Sequence, residues 1–316
     1  MNQHTGHIHT PWTSLVYLLA LTLVSTFVLQ FLVVAIDFIW NGGMEDLMKQ
    51  GKSVNSYMHK PVILYLLLMA GTVGTFLIPP LVLQRIERYQ IYFPRQPKGE
   101  QIWLITFVFL FAFSPLMHLV SEWNAQMTLP EALRDVEQWM QDKEESMKVL
   151  FERVIMVDSI PLLLLNIVVL ALLPAIAEEF YFRGTLFHIL NRLFNNNHLT
   201  VWIVAIVFSA IHLQFYGFFP RMLLGAFFGY MLVWTKNIWV PVFAHFVNNA
   251  MVTILAFIYT KNGKTYEDLQ SQENYSIFVY IGSLILTGLI GYWFYRYTHK
   301  KATIHGARLD KDTDIR

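Results

Sequence analysis

The sequence predicts an all-α polytopic membrane protein of about eight transmembrane helices around a polar intramembrane cavity. Three observations predict it. Of 316 residues, 55% are hydrophobic and only 14% charged, well below the roughly 25% charged residues of soluble domains. Apolar runs of about 20 residues, long enough to cross a bilayer as a helix, recur from end to end. Polar islands interrupt the later runs at Glu178-Glu179-x-x-x-Arg183, Phe208-x-x-x-His212 and His245-x-x-x-Asn249, although an ionisable group at membrane depth costs about 2.5 kcal/mol or more.

Taken in order, spans are expected near 13–37, 61–84, 101–121, 159–180, 199–214, 217–235, 238–260 and 275–297. Met1 to Pro11 carries no Lys or Arg, so the first apolar run reads as a membrane helix rather than a cleaved signal peptide. His4, His7 and His9 alternate in that tail, which is expected to be disordered rather than a metal site. Pro79-Pro80 should kink the second span, and Gly225-x-x-x-Gly229 should let helices approach closely.

Segment 122–158 is the one sizeable extramembrane piece. Thr128-Leu-Pro130-Glu131 has capping-box spacing, and Leu133, Val136, Met140, Met147, Leu150 and Val154 recur at helical intervals, so an amphipathic helix packed on the membrane domain is expected there. No repeat or linker separates a second domain. The chain divides into N-terminal helices with that segment (1–158), a core carrying the polar islands (159–258), and a last helix with a polar tail (259–316). Arg85, Arg88, Arg95 and Lys98 in loop 85–100, with Lys300, Lys301, Arg308, Lys311 and Arg316 in the tail, place both termini on the cytoplasmic side.

Composition also excludes chemistry. A net charge of +1 without a basic stripe gives no nucleic-acid surface. Zero cysteines remove thiol catalysis, thiolate metal sites and disulfides. There is no H-E-x-x-H and no G-x-S-x-G elbow. What remains is carboxylate, imidazole and amide. Glu179 and Arg183 stand at i and i+4 and can pair, while Glu178 is turned about 100° away, which suggests one buttressed and one working carboxylate. His245 and Asn249 share a helical face. If the helices on either side of Asn195 to Asn197 are unbroken, Glu178 and His212 lie about 25 and 22 Å from that turn, nearly level. Such a set can activate water, with or without a divalent cation, and stabilise an oxyanion. A proton relay in a transporter uses the same groups, and so does a non-catalytic binding protein.

The three motifs, in this order on successive membrane helices, resemble those of the CPBP or Abi family, which comprises type II CAAX prenyl endopeptidases and bacteriocin-processing or immunity proteins. The resemblance covers roughly 159–258. It implies an intramembrane metalloprotease with Glu178 as general base, His212 holding or activating the water, His245 and Asn249 stabilising the oxyanion, and Glu179 with Arg183 ordering the site. It also implies a divalent metal such as Zn2+ on Glu178, His212 and His245, which makes three protein ligands only if His245 is a ligand rather than an oxyanion donor. The expected substrate is a membrane-associated protein or peptide, and the expected location is the bacterial plasma membrane.

Overall fold

A computed structural model describes residues 9–41, 60–87, 99–271 and 274–311, which form helices and turns and, among these residues, no strand. His4, His7, Arg88, Arg95, Lys98 and Arg316 lie outside the described residues, as do the side chains of Lys300, Lys301, Arg308 and Lys311. The helices are α1 (Pro11–Asn41), α2 (Pro61–Glu87), α3 (Gln101–Ala125), α4 (Arg134–Ile155), α5 (Ile160–Phe194), α6 (Asn197–Ala210), α7 (Phe218–Thr235), α8 (Trp239–Lys261), α9 (Tyr266–Gln270) and α10 (Ile277–Lys311). The protein is an all-α polytopic membrane protein.

The span count needs one correction. Among the described residues, seven helices are long and apolar enough to cross a bilayer. The helix expected at 199–214 is the short α6, whose 14 residues reach only about 21 Å. It ends early because the chain turns at Ile211 to Leu213, where Leu213 takes a left-handed φ of 53°. His212 therefore lies past the helix end.

Its predecessor compensates in length. α5 runs for 35 residues, about 52 Å at 1.5 Å per residue, and continues through the glutamate pair rather than breaking. It does so by widening. Ile167–Leu172 and Phe180–Leu186 are π-helical, flanking an α-helical Leu173–Glu179. The first stretch precedes Pro174, which has no N–H for the carbonyl four residues back. In α2 the expected kink region is handled alike, with π-helical Val73–Leu77 ahead of Pro79.

Two apolar clusters sandwich the middle of the molecule. One joins α1, α2, α5 and α6 through Leu18, Leu83, Phe182, Leu186 and Phe208. The other joins α3, α7, α8 and α10 through Ile102, Phe228, Met231, Val240 and Phe294. α1 turns Leu23, Phe27, Phe31 and Trp40 outward, as a helix does whose solvent is hydrocarbon.

α4 lies outside this bundle. A 3₁₀ turn, Glu131–Leu133, leads into it, and Pro130 itself occupies the cap position with extended backbone and no side-chain cap bond. The capping box expected at Thr128 does not form, because Pro130 holds ψ at 150° and the helix starts only beyond it. Val154 and Ile155 anchor the far end, whereas Leu133, Val136 and Trp139 stay exposed.

Candidate active site

Arg183 is 1% exposed and Glu179 fully buried. The Arg183 Nη1 donates to Glu179 Oε1 at 2.8 Å, and Nη2 donates to the Gly225 carbonyl at 2.7 Å. That carbonyl is within reach because α7 presses close: a Cβ on Gly225 would lie 3.1 Å from the Phe208 ring and 3.3 Å from Arg183 Nη2. Phe208 and Phe228, one from each apolar cluster, put ring faces 4.6 and 5.5 Å from the guanidinium carbon. Cation–π contact of this kind contributes most where water is excluded.

The same carboxylate oxygen also takes His245. Its Nδ1 lies 2.9 Å from Glu179 Oε1, while Nε2 is 4.0 Å from Glu178 Oε2. Phe228 stacks on the imidazole at 5.2 Å. The two adjacent glutamates thus address opposite nitrogens of one ring. Because a carboxylate paired to arginine only accepts, Nδ1 carries the proton of that contact, and Nε2 faces Glu178.

His212 reaches the site differently. α6 ends at Ala210, and the His212 N–H turns to the Ser209 carbonyl at 3.3 Å. This leaves the Phe208 carbonyl for the His212 side chain, whose Nδ1 sits 2.8 Å away. A carbonyl accepts, so this imidazole also carries its proton on Nδ1 and presents Nε2 as a lone pair. Asn249, one turn beyond His245 on α8, donates through Nδ2 to the Leu170 carbonyl at 3.5 Å, the carbonyl that Pro174 cannot serve.

The structure gathers Glu178, Glu179, Arg183 and His245 into one cluster. His212 and Asn249 line a neighbouring cavity of about 850 Å3. Glu178 and His245 are not among its lining residues. α4 closes the cavity with Glu144, Met147, Lys148 and Phe151. Burial pushes the Glu144 carboxyl up, against Arg221 and the Tyr216 backbone N–H, which favour its charged form.

Ligand chemistry and ligand geometry part company here. Two imidazoles and a carboxylate suit zinc, yet among the described residues no three His, Asp or Glu side chains gather closely enough to hold an ion. Glu178, His212 and His245 do not fit as a ligand set in this arrangement.

Sequence reasoning passed over Arg221. It lines the cavity beside His212 and interacts electrostatically with Glu144 and Glu178. The signal was available, since Arg221 is a charge inside an apolar run, the same anomaly that singled out Glu178.

Comparison with known proteins agrees with this core. Residues 160–251, from the start of α5 to the middle of α8, match the type II CAAX prenyl endopeptidase Rce1-like family. The matched stretch holds every polar motif residue from Glu178 to Asn249. The chain is also similar to the uncharacterized protein YpbD of Bacillus subtilis (strain 168), with 30% identity over 116 residues, 35% of this chain. It spans 57% of that relative's length. No solved structure matches.

Proposed function

We propose that the protein is an intramembrane endopeptidase that hydrolyses a peptide bond of a membrane-associated protein or peptide, in the manner of CAAX processing. The observation that carries this reading is His245 held between two carboxylates, 2.9 Å from Glu179 and 4.0 Å from Glu178. A water bonded at about 2.8 Å to both Glu178 Oε2 and His245 Nε2 would subtend roughly 90° between them, an angle water tolerates.

In this reading His245 Nε2 orients the water and Glu178 removes a proton from it. Hydroxide attacks the scissile carbonyl, and the tetrahedral oxyanion forms beside the cavity, where the Asn249 amide donates to it. Glu178, now protonated, returns that proton to the departing amine. His212 offers its Nε2 lone pair to the same water layer. Glu179 and Arg183 keep the His245 proton on Nδ1, so His245 serves as an acceptor rather than the oxyanion donor that the resemblance implies.

A zinc ion, as the resemblance also implies, would take Glu178, His212 and His245. Since these are not gathered as ligands here, every step above is assigned to side chains and water. The basic loop 85–100 supports a bacterial plasma membrane in which that loop faces the cytoplasm.

The test compares wild type with Glu178→Gln in native membranes, reading protein termini by mass spectrometry. Membrane-associated proteins with longer ends in the variant alone would name the substrate. Identical termini would remove the endopeptidase reading in favour of a binding or transport role.

A further inference from the structure

The apolar face of α4 is longer than the protein that covers it. At about 100° per residue, Val136, Trp139, Met140, Met147, Phe151 and Val154 fall within one sector about 120° wide. Every carboxylate of the helix lies outside that sector. Lys143 is the one charged side chain inside it.

The C-terminal half of the sector is occupied by the bundle. Met147, Phe151 and Val154 line the cavity together with Leu68, Leu170 and Val252, which belong to three of the apolar spans. The sector therefore looks towards the level of the hydrocarbon. The N-terminal half, Arg134 to Lys143, adds no residue to that lining, although it continues the same face for about 15 Å. Leu133, Val136 and Trp139 are 46, 45 and 48% exposed. A hydrogen bond from Gln141 Nε2 to the Tyr216 hydroxyl, 3.4 Å long, marks where the helix leaves the bundle.

The surface beside this overhang is the lipid-facing surface of the spans. Trp123, at the end of α3, and Leu213, in the turn before Tyr216, are 55 and 56% exposed, so the apolar exterior reaches the end of the bundle where α4 lies. Charge separates a lipid surface from an anion receptor. α4 holds six acidic and four basic residues, and an anionic surface does not attract it as a whole. The apolar sector is what can be seated, and the lysine within it can run its stem along the acyl boundary and place its ammonium among the headgroups.

We propose that the N-terminal half of α4 lies in the interfacial zone of the bilayer beside the bundle, with Val136 below the headgroups and Trp139 and Lys143 at their level. The occupant of this face is lipid, and a neutral phosphatidylcholine surface suffices. Trp is the side chain that membrane interfaces favour, since its ring is apolar and its N–H is wet. The contact supports the helix across the cavity from the side on which the protein gives it none. It stands independently of the endopeptidase reading.

The experiment uses the full chain in lipid nanodiscs of phosphatidylcholine, one copy per disc. The chain has no cysteine, so one introduced thiol carries one label. Val136→Cys and Trp139→Cys report on the apolar sector, Gln138→Cys and Glu145→Cys on the opposite face, each labelled with the environment-sensitive fluorophore nitrobenzoxadiazole. Nitroxide on the upper acyl chain of the lipid should quench most emission at 136 and 139, with a depth of about 5–10 Å for 136. Emission at 138 and 145 should stay red-shifted and yield instead to aqueous iodide. Leu133→Cys repeats the measurement on the same face if either of the first two variants melts early.

Equal lipid quenching on the two faces overturns the proposal, and so does iodide quenching of 136 as strong as that of 138. A label at 136 sheltered from iodide yet untouched by nitroxide lipid places protein on this face and overturns it as well. Quenching that appears only after anionic lipid is added overturns the apolar seating. Retention of the contrast between faces in neutral lipid supports it.

Discussion

Glu179 Oε1 accepts from Arg183 at 2.8 Å and from His245 at 2.9 Å, so one buried oxygen joins the arginine of α5 to the imidazole of α8. His245 owes its orientation to that oxygen. The neighbouring carboxylate, Glu178, is left to the opposite ring nitrogen. Arg183 and His245 thus occupy one glutamate, while the other faces the imidazole from its far side.

Glu178→Gln keeps the shape and removes the base. Peptide cleavage is expected to fall by about 10²- to 10⁴-fold, the usual contribution of general base catalysis, with thermal unfolding close to wild type. A rate assay beside a melting curve checks both. Cleavage at wild-type rate would take Glu178 out of the reaction.

Arg183→Ala leaves Glu179 as a buried carboxylate without its cation and the Gly225 carbonyl without its donor. Breaking such a pair costs about 3–5 kcal/mol, so the variant should unfold at markedly lower temperature and denaturant. Glu179→Gln with Arg183→Ala completes a double-mutant cycle, and the coupling should exceed 1 kcal/mol. Strictly additive losses would show that the two side chains act apart.

Gly225→Val places methyl groups where the Phe208 ring and Arg183 Nη2 already stand 3.1 and 3.3 Å from a single Cβ. Overpacking of this kind costs about 1–3 kcal/mol. Activity should fall with stability, because displacing Arg183 releases Glu179 and then His245. Gly282→Ala, where nothing lies within 4 Å of the added carbon, serves as the control and should melt as wild type does.

Glu144 supplies a pH signature outside the membrane spans. Burial holds its carboxyl above the ordinary range despite Arg221 and the Tyr216 N–H. A raised acid favours its neutral form in the folded state, so its contribution to stability is full below its ordinary range and is lost as pH rises through the folded value. Glu144→Gln stays neutral throughout and should flatten that part of the stability profile. Unfolding measured from acid to neutral pH in both proteins checks it, and a profile unchanged by the substitution would refute it.

The sequence by itself determined a great deal. Apolar length specified the long helices, because a membrane admits few other ways to satisfy a backbone. The i,i+4 spacing of Glu179 and Arg183 was readable because both lie on one continuous helix, where local geometry sets distance. The near-level placement of Glu178 and His212 rested on unbroken helices, and failed in its premise when α6 ended at Ala210. Only the tertiary structure decided what comes from different helices. It brought the Gly225 carbonyl to Arg183, set His245 between two glutamates, turned His212 back onto the Phe208 carbonyl, and left Arg221 facing Glu144 across a cavity. Those contacts depend on how closely helices approach and where each one ends. Both are set by packing between segments far apart in the chain, which no local spacing encodes.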